Sequence, residues 1–72
     1  MFSLKIGKSY QTENGYIIPR SKIGGSKTER FAIFEILELK EGGRYIKRHT
    51  TLSPVEIKKA LGLPKKERLD IT

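Results

Sequence analysis

The side chains of this chain that could take part in chemistry are few, and most of them are cationic. His49 is the only imidazole; Lys47 and Arg48 stand beside it, and neighbouring cations favour its neutral form. No carboxylate lies at a motif spacing that would orient the ring, and general acid–base catalysis needs paired groups with matched protonation behaviour. His49 therefore reads as a surface or nucleic-acid-contacting histidine. Glu35, Glu38 and Glu41 invite a metal reading, but strand alternation puts the first two on opposite faces and the third falls in a turn, so they read as solvated or salt-bridged glutamates. The run Ile23-Gly24-Gly25-Ser26-Lys27-Thr28 looks faintly like a phosphate-binding loop. It lacks the full glycine spacing and the strand-before, helix-after context that builds an amide cradle, which leaves a flexible loop whose Lys27 and Arg30 can reach a phosphate backbone. A non-enzyme without cofactor or metal is the expectation.

The remaining signal is the interleaving of basic and aromatic residues. Arg44, Lys47, Arg48 and His49 fall on one expected strand with Tyr45; Lys5 and Lys8 precede Tyr10; Tyr16 leads into Arg20 and Lys22. Cations that track phosphates and rings that stack bases are what a single-strand platform requires, each stacked base being worth roughly 1–3 kcal/mol. The candidate nucleic-acid contacts are thus Arg20, Lys22, Lys27 and Arg30 in a loop, Arg44, Tyr45, Lys47 and Arg48 on a strand, and Tyr16. Phe2, Phe31 and Phe34 read as core. Lys58, Lys59, Lys65, Lys66 and Arg68 are as compatible with a solvated face as with phosphate contacts. Fifteen Lys and Arg against eight Asp and Glu leave a net charge of +7 on 72 residues. Self-repulsion of that density opposes compaction, and an anionic partner relieves it.

The elements that must position these residues follow from periodicity. Phe2, Leu4 and Ile6 alternate with polar residues as in a strand, with Gly7 expected to mark a bulge. Glu13-Asn14-Gly15 before Tyr16-Ile17-Ile18 marks a first hairpin, and Pro19 sets that strand at an edge or ends it. Arg20–Arg30 is too polar and glycine-rich for core and reads as a mobile basic loop. Phe31–Leu39 is apolar at both parities, as a central strand is; Gly42-Gly43 and Arg44-Tyr45-Ile46 then make a second hairpin. At Ser53-Pro54-Val55-Glu56 the sequence holds a capping box with proline at the first helical position, and Gly62-Leu63-Pro64 closes the helix. Helix 54–61 should bury Ile57, Ala60 and Leu61, with Val55 at its start, and turn Lys58 and Lys59 outward. The fold class is α+β: a small antiparallel sheet of about four strands in two hairpins, then one short C-terminal helix. Residues 1–64 form the basic domain and 65–72 a basic tail that adds a helical turn, pairs with a partner chain, or frays.

A chain of this size has room for one core, and the usual supports are disulfides, a metal or a partner subunit. With no cysteine and one histidine, a homodimer is the natural expectation. Charges at Lys5 and Lys8 interrupt the opening residues, no long apolar run follows, and the expected setting is cytoplasmic, with no membrane partner. Richness in Lys, Glu, Arg and Ile with almost no Met, Asn or Gln is a bias of proteins from hot-living organisms.

The stretch FAIFEILELKEGGRYIKRHTTLSPVEIKKAL, read as strand, glycine turn, strand, cap and helix, resembles the C-terminal part of PC4-like single-stranded-DNA-binding transcriptional cofactors. That resemblance implies a basic curved sheet, carrying Arg44, Lys47 and Arg48 on its strand, in a dimer; the family's Asp-Ile-Arg strand motif is replaced here by Ile33-Phe34-Glu35. The leading reading is a non-catalytic protein that binds single-stranded or distorted DNA, favoured over RNA, with weak sequence preference. From another class, a small accessory subunit could dock on an acidic partner such as a polymerase component, using the sheet edge near Pro19. A small ribonuclease toxin using His49 is a third reading.

Overall fold

The structure is a computed structural model describing Met1–Thr72. Strands β1 (Phe2–Leu4), β2 (Tyr10–Thr12), β3 (Gly15–Pro19), β4 (Gly24–Gly25), β5 (Arg30–Lys40) and β6 (Arg44–Leu52) precede helix α1 (Pro54–Leu61), and β7 (Leu69–Ile71) follows it. The architecture is mostly antiparallel sheet with one helix, as the patterning implies, but the helix sits before the last strand rather than at the end of the chain. Tail residues 65–72 do not stand apart from residues 1–64: β7 pairs in parallel with β1, Phe2 opposite Leu69 and Leu4 opposite Ile71, and Ile71 is buried. Leu4, fully buried, and Ile71 belong to the same core, so burial of two apolar side chains offsets part of the cost of ordering both ends.

In the main sheet β3 and β6 flank β5 along its length, with Ile17 opposite Ile36 and Glu35 opposite His49. A strand has two edges, so β4 shares one with β3. Between them Ser21 stands in for the ladder, its hydroxyl accepting from the Ile33 amide at 2.9 Å while the Arg20 amide donates to the Ile33 carbonyl at 2.8 Å. The sheet is therefore four strands wide although it contains five. The expected loop 20–30 is in part this strand plus a turn in which the Ser26 hydroxyl accepts from the Glu29 amide. Eleven residues of β5 extend about 36 Å at roughly 3.3 Å each, which accounts for most of the 41 Å long axis.

The first hairpin turns through Glu13 and Asn14, as Asn-Gly suggests, but its outer arm is β2; the Phe2–Leu4 segment pairs elsewhere. Of the turn residues only Gly15 has positive φ, at 150°, and a Cβ there would sit 1.9 Å from the Leu37 carbonyl oxygen. That contact requires glycine and seats β3 closely on β5. Pro19 ends its strand. Glu41–Gly43 close the second hairpin as a single turn.

Helix α1 forms as its caps dictate. The Ser53 hydroxyl accepts from the Glu56 amide, the Glu56 carboxylate accepts from the Ser53 amide at 3.0 Å, and Gly62 takes φ 70° so that the Leu63 amide reaches the Lys58 carbonyl. Ile57 is fully buried against Phe34, Ile17 and Ala32, with Ala60 and Leu61 at the margin. Val55, expected in the stripe, is 64% exposed because it lies on the outer side of the first turn.

Candidate nucleic-acid interface

Strand alternation decides which side chains share a face. On β5 the even residues Ala32, Phe34 and Ile36 point to α1; the odd residues Phe31, Ile33, Glu35, Leu37 and Leu39 point away from it. Register carries this parity into the neighbouring strands: Tyr45, Lys47 and His49 of β6 stand opposite Leu39, Leu37 and Glu35, and Tyr16 of β3 stands opposite Leu37. No element covers this side of the sheet. It carries the Tyr16 and Tyr45 rings with centroids 6.1 Å apart and planes tilted by 45°, the ordinary range for an interacting aromatic pair. Phe31, expected in the core, is 45% exposed: its parity keeps it out of the core, and it borders a cleft with Pro54, Val55 and Glu56 at the start of α1.

The basic strand expected from the sequence is divided by the same rule. Tyr45 and Lys47 lie on the open face; Arg44 and Arg48, at the other parity, lie on the side of α1. The four residues thus do not form one surface.

Glu35 is the polar centre of the open face, buried at 4% exposure beneath a ring of cations. Arg20 Nη2 donates to its Oε2 at 2.6 Å, Lys47 Nζ lies 3.0 Å from Oε1, and His49 Nε2 lies 3.5 Å from the same oxygen. The Arg20 and then the Lys47 hydrogen bond hold the Glu35 carboxyl below its ordinary value, against burial that acts the other way. Sequence spacing showed no carboxylate near His49; pairing of β5 with β6 supplies one. On the opposite face Glu38 accepts from Lys40 at 2.8 Å and lies 3.7 Å from Arg48, and the Lys40 bond lowers its pKa. Arg20, Lys47 and Arg48 are therefore partly neutralised, whereas Lys22, Lys27, Arg30 and Arg44 are in no ion pair.

A basic region that composition alone does not reveal lies on the helix side. Arg30, Lys58, Lys65, Lys66 and Arg68 line one cleft of about 490 Å³, beside Pro54 at the start of α1. Lys27 and Arg30 border an adjoining cleft that shares Arg30 and Pro54 with it. The signal was present in Gly62-Leu63-Pro64: a left-handed cap followed by proline reverses the chain, so the lysines beyond it return beside those of the helix.

No three His, Cys, Asp or Glu side chains converge as a metal site would require, and no helix is long and apolar enough to cross a membrane. Comparison with known proteins gives no match to a family model, a curated protein or a solved structure.

Proposed function

We propose that this is a non-catalytic nucleic-acid-binding protein that takes single-stranded or distorted DNA on the open face of its sheet, with weak sequence preference. The observation that carries the reading is the pairing of Tyr16 with Tyr45 on an uncovered face beside Lys47 and Arg20, in a chain of net charge +7. Bases stack on the rings, and the two cations, held in place by Glu35, meet the phosphates that flank them. Glu35 thus leaves a surplus on this face while fixing where it sits. The donors on the face, Arg20, Lys47 and His49, are turned toward Glu35, which agrees with weak sequence preference. The resemblance of Phe31–Leu61 to PC4-like cofactors, read from the sequence, belongs to the same proposal. Homodimerisation belongs to the same reading, since the buried core comprises only six apolar residues.

The row Phe31, Ile33 and Leu39, each 45–49% exposed on that face, favours a second reading, an accessory subunit docked on an acidic protein. Titration of labelled single-stranded and duplex oligonucleotides at several salt concentrations separates the two. Nucleic-acid binding requires affinity that falls with salt, with a slope of about −0.7 per phosphate neutralised on a single strand. Absent or salt-indifferent affinity supports the protein partner.

A further inference from the structure

The cleft on the helix side has its own chemistry. Arg30 belongs to the even parity of β5 and so faces α1, and Lys58 lies on α1, which covers the inner side of the sheet; the cleft and the open face are on opposite sides of it. None of the five cations of the cleft makes an ion pair. Its single carboxylate, Glu67, lies 3.3 Å from the Met1 ammonium instead. The wall that carries Lys65, Lys66 and Arg68 is fixed at both ends: Lys58 Nζ donates to the Lys65 carbonyl at 2.6 Å, and the Arg68 carbonyl accepts from the Phe2 amide at 2.8 Å, where β7 begins its pairing with β1. Like charges held together by backbone contacts repel one another until an anion enters. The apolar lining is Met1, Ile23, Pro54 and Leu69, with no aromatic ring, so the cleft suits phosphates better than it suits stacked bases.

We propose that this cleft is a second nucleic-acid site, one that grips the phosphodiester backbone of a duplex through Arg30, Lys58, Lys65, Lys66 and Arg68, so that one molecule bridges a strand on its open face and a duplex on its helix side. The duplex is the occupant because a site with no aromatic rings gains little from exposed bases, while duplex DNA presents one charge per ~1.7 Å of axis to a compact group of cations. The bridging part rests on the single-strand reading above; the duplex site does not.

The test uses the full chain and the triple variant Lys65→Glu/Lys66→Glu/Arg68→Glu, with Lys65→Gln/Lys66→Gln/Arg68→Gln as a milder form should reversal reduce the melting temperature. Lys58 is left in place because it holds the Lys65 carbonyl. Affinities for a fluorescent duplex and for a fluorescent thymidine oligomer are measured separately across salt concentrations. An immobilised single strand loaded with protein is then exposed to labelled duplex. Expected are at least a tenfold loss of duplex affinity in the triple variant, a salt slope shallower by about 2–3, as each duplex phosphate contact contributes about 0.9, a change under threefold for the thymidine oligomer, and loss of duplex capture on the loaded surface. Duplex affinity and salt slope equal to wild type overturn the site. So does a wild-type protein that ignores duplex yet binds phosphatidylserine vesicles through the same lysines. Tyr16→Ala/Tyr45→Ala serves as the converse: if it leaves thymidine-oligomer binding intact, the open-face reading fails while the duplex result still stands.

Discussion

Replacing Tyr45 with alanine removes a ring that is 50% exposed on an edge strand and sits 6.1 Å from the Tyr16 ring. A base sandwiched between two rings needs parallel planes about 7 Å apart, twice the ~3.4 Å rise of a stack. Rings 6.1 Å apart and tilted by 45° cannot admit one. They form one side of a stack, so each tyrosine supports at most one base. Loss of one stacked base costs about 1–3 kcal/mol, or roughly 5- to 140-fold in affinity at about 1.4 kcal/mol per tenfold. Folding also loses about 0.5–1.5 kcal/mol for the aromatic pair, in addition to the area the half-buried ring covers. Fluorescence anisotropy with a labelled thymidine oligomer reads the first quantity and thermal melting the second. Tyr45→Phe keeps the ring and should bind like wild type; Tyr16→Ala/Tyr45→Ala should lose less than the sum of its parts, since neighbouring rings couple. An alanine variant that is still folded at the assay temperature and binds within twofold of wild type would refute the stacking role.

Three further outcomes concern what holds the platform. Phe34, the largest fully buried side chain, should cost about 3–5 kcal/mol when truncated to alanine; a domain of this length has about 4–11 kcal/mol in total, so the variant should lose from about a quarter to all of its stability and its urea midpoint should fall in proportion, and a normal midpoint would show that the core lies elsewhere. Because Glu35 titrates below its ordinary 4.5 when folded, protonation favours the unfolded chain, so this part of the stability is full above pH 4.5 and is lost as pH falls through the folded value. Urea midpoints measured from pH 7 to pH 3 should drop less steeply in Glu35→Gln than in wild type, with Glu38 and Glu56, also lowered, supplying the remaining slope; identical slopes would mean that the Arg20–Lys47 cluster is not formed. Ser53→Ala removes one half of the capping box and should cost about 1 kcal/mol, about 4–8 °C in Tm, whereas an unchanged Tm would show that packing of Ile57 alone sets the helix.

What was legible in the sequence was what local chemistry decides. Ser53, Pro54, Glu56 and Gly62 fix α1 to the residue, because caps are made within four positions of one another. Asn14-Gly15 and Gly42-Gly43 fix both hairpins for the same reason. Pairing between distant segments was not legible: Leu69–Ile71 are three unremarkable residues whose placement beside Phe2–Leu4 depends on the whole core closing between them. Candidate-site residues divide in the same way. Alternation put Tyr45 and Lys47 together, and applied strictly it would also have separated Arg44 and Arg48 from them. Association of Tyr16 with Tyr45, and of Glu35 with Arg20 and His49, required the register of three strands, which no single stretch encodes.

Binding on the open face is tested most directly by following backbone amide and tyrosine ring resonances while a thymidine oligomer is added. The expected result is shifts concentrated at Tyr16, Leu37, Tyr45, Lys47 and the Arg20 guanidinium, saturating together and reversing with added salt. Shifts confined to the helix side of the sheet, around Arg44, Arg48 and Lys59, or no shifts at any oligomer concentration, would contradict it.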